Sequence, residues 1–267
     1  MTPTAGALAV GRGELDVWLI PPPEASPYVQ SGELDGSERR RAAAYRRPGD
    51  RLLYIAAHVG LRRILSAYTG IAPGRLAIAG VRHNAEGGRH GRPVILGVPG
   101  APQFSLSHSR GLALLAVARG RVGADVQGMP TAATADACLP ALHPAERDEL
   151  SGIPERDRTR AFCRLWTRKE AYLKGLGTGL ARRPSLDYLG ESGLGERPEG
   201  WAVGDLPLCS SHAGAVAVPG SGGHRIAMRV LPAGLLHAPD AVERIRGIVP
   251  VLRTVLPPAE QVTAPAG

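Results

Sequence analysis

The sequence has few cysteines, few aromatic residues and no long apolar segment, and each shortage argues against a class of protein. The three cysteines are an odd number with no CxxC pair, which argues against a disulfide framework or a cysteine zinc site. Aromatic residues make up only 4% of the chain, too few for the stacking platforms of a single-stranded nucleic-acid binder. The apolar run at residues 111–118 is far shorter than a bilayer span. We therefore expect a cytoplasmic protein without a signal peptide or membrane segment.

Lysine is also scarce, although the chain is strongly basic. Thirty of the 32 basic residues are arginine, and the two lysines, Lys169 and Lys174, lie five positions apart. Lysine carries a compact ammonium, whereas arginine carries a wide planar group that stays charged, so this pattern indicates a need for an ammonium at these positions. The formal net charge of +8 favours an anionic partner, either nucleic acid, phosphates or an acidic protein. An arginine-rich surface that reflects genome composition is the alternative.

The length of 267 residues fits one large domain or two small ones. Hydrophobic periodicity predicts a strand, two helices and four further strands in the first half, at residues 16–20, 37–47, 50–68, 94–96, 104–106, 112–118 and 121–127. We expect Asp50 to cap the long helix at its N-terminus. The second half repeats this order, with helices at 144–150 and 158–175, strands near 201–203, 213–218 and 225–230, and a helix near 241–248.

The helix predicted at residues 158–175 carries charges that its apolar face does not explain. At 100° per residue, Lys169 falls in the middle of an apolar face formed by Phe162, Leu165, Trp166, Leu173 and Leu176. Glu170 and Lys174 are i,i+4 neighbours, so a simple ion pair worth about 0.2–0.5 kcal/mol would account for them. Lys169 instead needs a partner or a ligand, unless its stem lets the ammonium reach water.

Two further segments carry polar residues that fit phosphate chemistry. Asp125 lies among apolar strand residues, where a carboxylate needs a cation or several donors unless the strand is an edge strand that faces solvent. A divalent metal held by Asp125 and Glu170, with water and phosphate oxygens, would satisfy both carboxylates. His108 lies between Ser107 and Ser109 in a predicted turn and is suited to donate hydrogen bonds to a phosphate, although a lone histidine in a turn often has no such role.

Together these segments resemble the 4′-phosphopantetheinyl transferases of the Sfp type, over about residues 15–230. That family has a Ser-His-Ser turn, a GxDxE-like strand and a helix of the form W-x-x-K-E-(A/S)-x-x-K followed by glycines. The sequence has the turn at residues 107–109, Gly-Ala-Asp-Val-Gln at 123–127 and the helix motif at 166–174. Gly91-Arg92-Pro93 stands where the family often has Gly-Lys-Pro. The chain departs from the pattern at Gln127, where the family commonly has a second acid.

The resemblance implies an α/β fold of two similar α+β halves that form a pseudo-dimer, with the cofactor in the cleft between them. We place the N-terminal half at residues 1–122 and the C-terminal half, with the metal-binding strand and helix, at 123–235. Residues 236–267 are predicted to be a C-terminal extension, partly disordered because its last residues are rich in proline and alanine. The protein is expected to be a monomer.

The resemblance also implies a reaction and a set of roles. The enzyme would transfer the 4′-phosphopantetheine arm of coenzyme A to a serine of an acyl or peptidyl carrier protein, with release of adenosine 3′,5′-bisphosphate. Mg²⁺ would be held by Asp125, Glu170 and Gln127, and the catalytic residues would be Glu170 as base and Lys174 at the leaving phosphate. The residues implied for coenzyme A binding are Arg46, Arg51, Arg92, Ser107, His108, Lys169 and Lys174.

Two other functions remain open from the sequence. A basic nucleic-acid or polyanion-binding protein would explain the charge but not two lysines beside Glu170 in one helix. Another Mg²⁺-dependent phosphotransferase would share the metal and phosphate residues. The resemblance points to carrier proteins as partners, without nucleic acid or a membrane, and to a place in secondary metabolism.

Overall fold

The computed structural model of the protein describes residues 7–21, 31–81, 91–220 and 223–256. The helices are α1 (Gly36–Ala43), α2 (Pro48–Thr69), α3 (Ala132–Cys138), α4 (Pro144–Ser151), α5 (Glu155–Leu176) and α6 (Ala241–Arg246). The strands are β1 (Glu14–Ile20), β2 (Ile78–Val81), β3 (Arg92–Ile95), β4 (Gln103–Ser109), β5 (Leu112–Ala118), β6 (Gly123–Gly128), β7 (Trp201–Leu206), β8 (His212–Pro219), β9 (His224–Val230) and β10 (Leu252–Leu256). None of the helices in these ranges is long and apolar enough to cross a membrane.

The first of two compact units takes in the described residues of 1–79, 93–119 and 226–254. Its sheet has the strand order β10-β9-β1-β5-β4, and β5 pairs antiparallel with both β1 and β4. The 22-residue helix α2 is buried on all sides over residues 59–68 and packs in a core that includes Trp18, Ile64, Leu65, Phe104 and Leu115. A separate two-stranded sheet joins β2 to β3.

The second unit takes in the described residues of 80–92, 120–225 and 255–267. Its three strands are arranged β6-β8-β7, and both pairs are antiparallel. Helix α5, also 22 residues long, packs on this sheet through a core that includes Phe162, Leu165, Leu173, Ala215 and Ala217. Helices and sheets in both units confirm the expected α/β class. The pseudo-dimer and the boundaries at residues 122 and 235 stay predictions.

The predicted elements are present, but several ends differ from the prediction. Helix α1 ends at Ala43, four residues before the predicted end at residue 47. The predicted N-cap at Asp50 is wrong, because α2 begins at Pro48 with Arg47 as its N-cap. Proline is well suited to this first helical position, since it has no N–H to leave unpaired. Asp50 therefore lies in the first turn, where its negative charge is favourable.

The Ser-His-Ser segment is also not a turn. Strand β4 continues to Ser109, which pairs with Leu112, so the reversal is confined to Arg110 and Gly111. Both of these residues have positive φ, at 42° and 86°, as a two-residue turn between twisted strands requires. Helix α3, strand β2 and strand β10 were not predicted from the sequence. The last part of the predicted extension, residues 257–267, lies outside the described residues.

Candidate active site

Two glycines allow strand β6 to lie directly against helix α5. A β-carbon on Gly123 would be 1.8 Å from the carbonyl oxygen of Ala171 and 2.3 Å from the nitrogen of Gly175. A β-carbon on Gly175 would in turn be 2.6 Å from the ring of Trp201. Backbone therefore touches backbone where the strand meets the end of the helix, and Asp125 comes within reach of the side chains on α5.

Asp125 and Lys174 form an ion pair between the strand and the helix. The ammonium nitrogen Nζ of Lys174 donates to Oδ1 of Asp125 at 2.6 Å. Strand β6 is an edge strand, yet Asp125 is only 5% exposed, so the carboxylate does not simply face solvent. A buried carboxylate requires a cation, and Lys174 supplies one here.

Glu170 lies one helical turn before Lys174 and completes a group of three charges. Burial raises the pKa of the Glu170 carboxyl, and the negative charge of Asp125 raises it further, while the ammonium of Lys174 acts in the opposite direction. Two carboxylates that repel each other in a partly buried place hold a proton or a cation more tightly than isolated carboxylates. The group can therefore bind a cation and accept a proton.

The donor set fits a hard divalent cation that keeps open positions for a substrate. Magnesium is commonly bound by one or two carboxylates together with phosphate oxygens and water, and Asp125 with Glu170 provides two carboxylates. The described residues contain no cluster of three or more His, Cys, Asp or Glu side chains suited to a metal. Gln127 follows Asp125 by two positions in β6, and alternate strand residues share one face, so its amide is the further oxygen donor on that face.

Lys169 is buried, as predicted, but its ammonium is already bound by protein atoms. Its side chain is 2% exposed, and Nζ lies 2.7 Å from Oε2 of Glu146. The same nitrogen donates to the carbonyl oxygens of Pro184 at 2.8 Å and Asp187 at 2.6 Å. Three acceptors use all three ammonium protons. The predicted contact of Lys169 with a cofactor phosphate therefore has no ammonium proton available.

Glu146 is the residue that sequence reasoning missed here. It is fully buried, caps the start of α4 by accepting from the backbone N–H of His143, and accepts from the backbone N–H of Leu189 at 2.7 Å. The signal that could have found it was the need of Lys169 for a partner, together with an acid in the preceding predicted helix. Helix α5 thus carries one structural lysine and one at the candidate site.

Ser107 and His108 lie near the end of strand β4, in the first unit. The ring of His108 stands edge-on to Tyr54, with 6.0 Å between centroids, and to His58, with 6.5 Å. Tyr54 and His58 stack on each other at 3.9 Å, and Nδ1 of His58 donates to the carbonyl oxygen of Tyr54 at 2.9 Å. Burial lowers the pKa of His58 to about 4. Two rings from α2 therefore support the ring of His108.

The three arginines predicted to bind coenzyme A differ in their surroundings. Arg46 lies between α1 and α2, Arg51 lies in the first turn of α2, and both are exposed. Arg92 begins β3, and its buried Nε and Nη1 atoms have no hydrogen-bond partner among the residues that the structure describes. Burial lowers the pKa of its guanidinium, and the charge of Arg121 lowers it further. A buried guanidinium without a partner is costly, so Arg92 has the strongest need for an anion of the three.

Comparison with known proteins agrees with this geometry. Residues 121–190, which carry β6 and α5, match the family model of the 4′-phosphopantetheinyl transferase superfamily. The chain is 32% identical over 219 residues to the 4′-phosphopantetheinyl transferase HetI of Nostoc sp., covering 78% of this chain and 89% of that protein. It is 34% identical over 158 residues to the L-aminoadipate-semialdehyde dehydrogenase-phosphopantetheinyl transferase of Eremothecium gossypii, covering 57% of this chain and 54% of that protein. The matched strand and helix are those that bring Asp125, Glu170 and Lys174 together. The chain therefore belongs to the 4′-phosphopantetheinyl transferase superfamily and is a transferase.

Proposed function

We propose that the protein transfers the 4′-phosphopantetheine arm of coenzyme A to a serine of an acyl or peptidyl carrier protein. The serine hydroxyl oxygen attacks the phosphorus that bears the pantetheine arm, the bond from that phosphorus to the bridging oxygen breaks, and adenosine 3′,5′-bisphosphate leaves. The observation that carries the proposal is the placement of two carboxylates and one ammonium between β6 and α5, in a chain of this family.

Asp125 and Glu170 would hold Mg²⁺, and the amide of Gln127 would contribute an oxygen or hold a bound water. When bound, the ion neutralises the pyrophosphate and stabilises the charge that develops during the displacement. The two carboxylates support this assignment, because burial and then the charge of Asp125 raise the pKa of Glu170, and a divalent cation would relieve the repulsion between them. The residues present fit the ion, since magnesium sites usually leave several positions to phosphate and water.

Glu170 would take the proton of the serine hydroxyl. A base works best when its pKa is near the working pH, and burial together with Asp125 raises the pKa of this carboxyl above its ordinary value. Lys174 would approach the leaving phosphate from the same flank of α5, because residues at i and i+4 are neighbours on a helix. Its ammonium would stabilise the charge that accumulates there.

The remaining cofactor contacts would come from Arg46, Arg51, Arg92, Ser107 and His108. Arg92 is the best supported of the arginines, because two of its buried guanidinium nitrogens find no hydrogen-bond partner within the described part of the chain. His108 is supported by a fixed orientation, since its ring packs edge-on to Tyr54 and His58. Ordered donors of this kind are suited to bind phosphate without a large entropic cost.

The partner would be an acidic carrier protein. The transferase would act on it as a monomer, in the cytoplasm and as part of secondary metabolism. The net charge of +8 supports an acidic partner, since complementary charge speeds encounter. Within the described residues, Cys138, Cys163 and Cys209 form no disulfide bond, which fits a reducing compartment.

Intact-mass spectrometry of an apo carrier protein tests the proposal. The protein is mixed with coenzyme A, Mg²⁺ and the apo carrier, and a parallel reaction contains EDTA. We expect the carrier to gain the mass of one phosphopantetheine arm only in the reaction with free Mg²⁺, with adenosine 3′,5′-bisphosphate as the second product. No mass gain with any of a fatty-acid, a polyketide and a peptide carrier, or equal gain in EDTA, would count against the proposal.

A further inference from the structure

The ammonium of Lys174 is hydrogen-bonded to Oδ1 of Asp125, an oxygen atom that a metal ion at this site would need. We infer that Lys174 acts as an exchangeable counter-ion: it holds Asp125 while the site is empty, and it moves to the cofactor pyrophosphate when metal and coenzyme A bind together. This inference rests on the proposed metal site at Asp125 and Glu170. It adds a coupling between metal binding and cofactor binding, which neither carboxylate provides by itself.

The two lysines of α5 show why Lys174 can exchange. Lys169 is 2% exposed and bonds to Glu146 and two carbonyl oxygens, so leaving its place would deprive three acceptors of their donor. The side chain of Lys174 is 29% exposed. Among the described residues, Oδ1 of Asp125 is the one hydrogen-bond acceptor of its ammonium. A flexible stem that reaches one acceptor from a partly solvated position can turn to another acceptor at little cost.

The charges favour an exchange over simple addition of a metal. Asp125, Glu170 and Lys174 together leave one net negative charge at the site. A divalent cation that enters alone meets the ammonium as a competitor for Oδ1 of Asp125, and the two positive charges repel each other. A pyrophosphate brings negative charge that can take the ammonium and the metal at once. Metal should therefore bind weakly to the free protein and more tightly to the protein with coenzyme A.

Thermodynamic linkage makes this coupling measurable from either side. If coenzyme A raises the affinity for the metal by some factor, the metal raises the affinity for coenzyme A by the same factor. Removing the ammonium removes the competitor in the free protein and removes a phosphate contact in the complex. The coupling factor should therefore fall when Lys174 is made neutral.

Electron paramagnetic resonance titration of Mn²⁺ without coenzyme A tests the exchange. An opposite charge beside a carboxylate changes its affinity for a proton by about 10-fold or more, so we expect Lys174→Met to bind Mn²⁺ about 10-fold more tightly than the wild type. Lys174→Gln should do the same. Arg160→Met is the matched control, because it removes one positive charge from an exposed position of the same helix, about 21 Å along the axis from Lys174 at 1.5 Å per residue. It should leave the Mn²⁺ affinity unchanged.

The same titration with coenzyme A present completes the test. There the difference in Mn²⁺ affinity between wild type and Lys174→Met should shrink or reverse. Unchanged Mn²⁺ affinity in both neutral variants, each with a wild-type melting temperature, would overturn the exchange. An equal rise in Arg160→Met would overturn it as well, because the effect would then be one of net charge.

Failure of the metal site is separable from failure of the exchange. Asp125→Asn should weaken Mn²⁺ binding to the free protein. If that variant binds Mn²⁺ as the wild type does, the metal assignment and the exchange both fall. If Asp125→Asn weakens binding but Lys174→Met has no effect, only the exchange falls. The transfer assay with a carrier protein decides the proposed function independently of either titration.

Discussion

Gly123 of strand β6 lies so close to helix α5 that a β-carbon on it would stand 1.8 Å from the carbonyl oxygen of Ala171. The obstacle is backbone within a long helix, so it cannot turn aside as a side chain can. This contact fixes the separation between the strand that carries Asp125 and the helix that carries Glu170 and Lys174. The geometry of the candidate site therefore depends on a residue that has no functional group.

Replacement of Gly123 by alanine tests this dependence. The added methyl group must push β6 away from α5, and overpacking of this kind typically costs about 1–3 kcal/mol of stability, occasionally more. We expect Gly123→Ala to lower the free energy of unfolding in urea by at least that amount and to slow transfer. Gly120→Ala is the matched control, because a β-carbon at Gly120 meets nothing within 4 Å. Equal stability of the two variants would contradict the close contact.

Lys169 and Glu146 form a buried ion pair that we expect to stabilise the second unit. Removing one partner of such a pair leaves a buried charge without compensation, which typically costs about 3–5 kcal/mol. Lys169→Met should therefore lose about this much free energy of unfolding in urea. Arg156→Met, on the same helix, removes a cation whose side chain is 83% exposed and should change stability by less than about 0.5 kcal/mol. A stable Lys169→Met variant with weakened coenzyme A binding would instead restore the phosphate contact predicted from the sequence.

Lys174→Arg should be slow but stable. The ammonium of Lys174 reaches Oδ1 of Asp125 at 2.6 Å, whereas a guanidinium is wider and places its charge differently. Loss of a well-placed donor at a developing charge typically costs about 10²–10³ in rate. Steady-state transfer rates and melting temperatures distinguish a catalytic role of Lys174 from a simple ion-pair role. Wild-type rates would show that any cation serves, as in a simple ion pair.

His58 should make the protein less stable in mild acid. Burial lowers its pKa to about 4 in the folded protein, against about 6.5 in an unfolded chain. The unfolded state therefore binds the proton more readily, and stability falls as the pH drops from about 6.5 to 4. The loss from this residue is about 3 kcal/mol at most. Urea unfolding across this pH range should show a shallower decline for His58→Gln than for the wild type. Parallel declines would show that His58 does not contribute.

The architecture could be predicted from the sequence wherever periodicity was strong. The buried faces of α2 and α5 and the strands β1, β5 and β8 follow from their apolar patterns. The residues at which helices and strands begin and end were less predictable, because a residue there can often either extend the element or end it. Pro48 can start a helix as readily as it can break one, and Ser109 extends a strand because a tight turn at Arg110 and Gly111 allows the pairing to continue.

The candidate site was predictable in its members but not in its partners. The sequence suggested Asp125 and Glu170 as two carboxylates that one metal would satisfy, and the resemblance to the family added Lys174 to them. The sequence could not show that Lys174 pairs with Asp125, nor that Lys169 pairs with Glu146, because both pairings join residues distant in the chain. The packing role of Gly123 was also hidden, since a glycine signals close approach only when its neighbour in space is known.

The intact mass of an apo carrier protein, followed over time with the Asp125→Asn and Glu170→Gln variants, shows whether these two carboxylates are needed for transfer. Both substitutions keep the size of the side chain and remove a charge that the account assigns to metal binding or to the base. We predict that each variant adds the phosphopantetheine arm at least about 10²-fold more slowly than the wild type, with a melting temperature close to that of the wild type. Transfer at the wild-type rate by either variant, with Mg²⁺ present, would contradict the account.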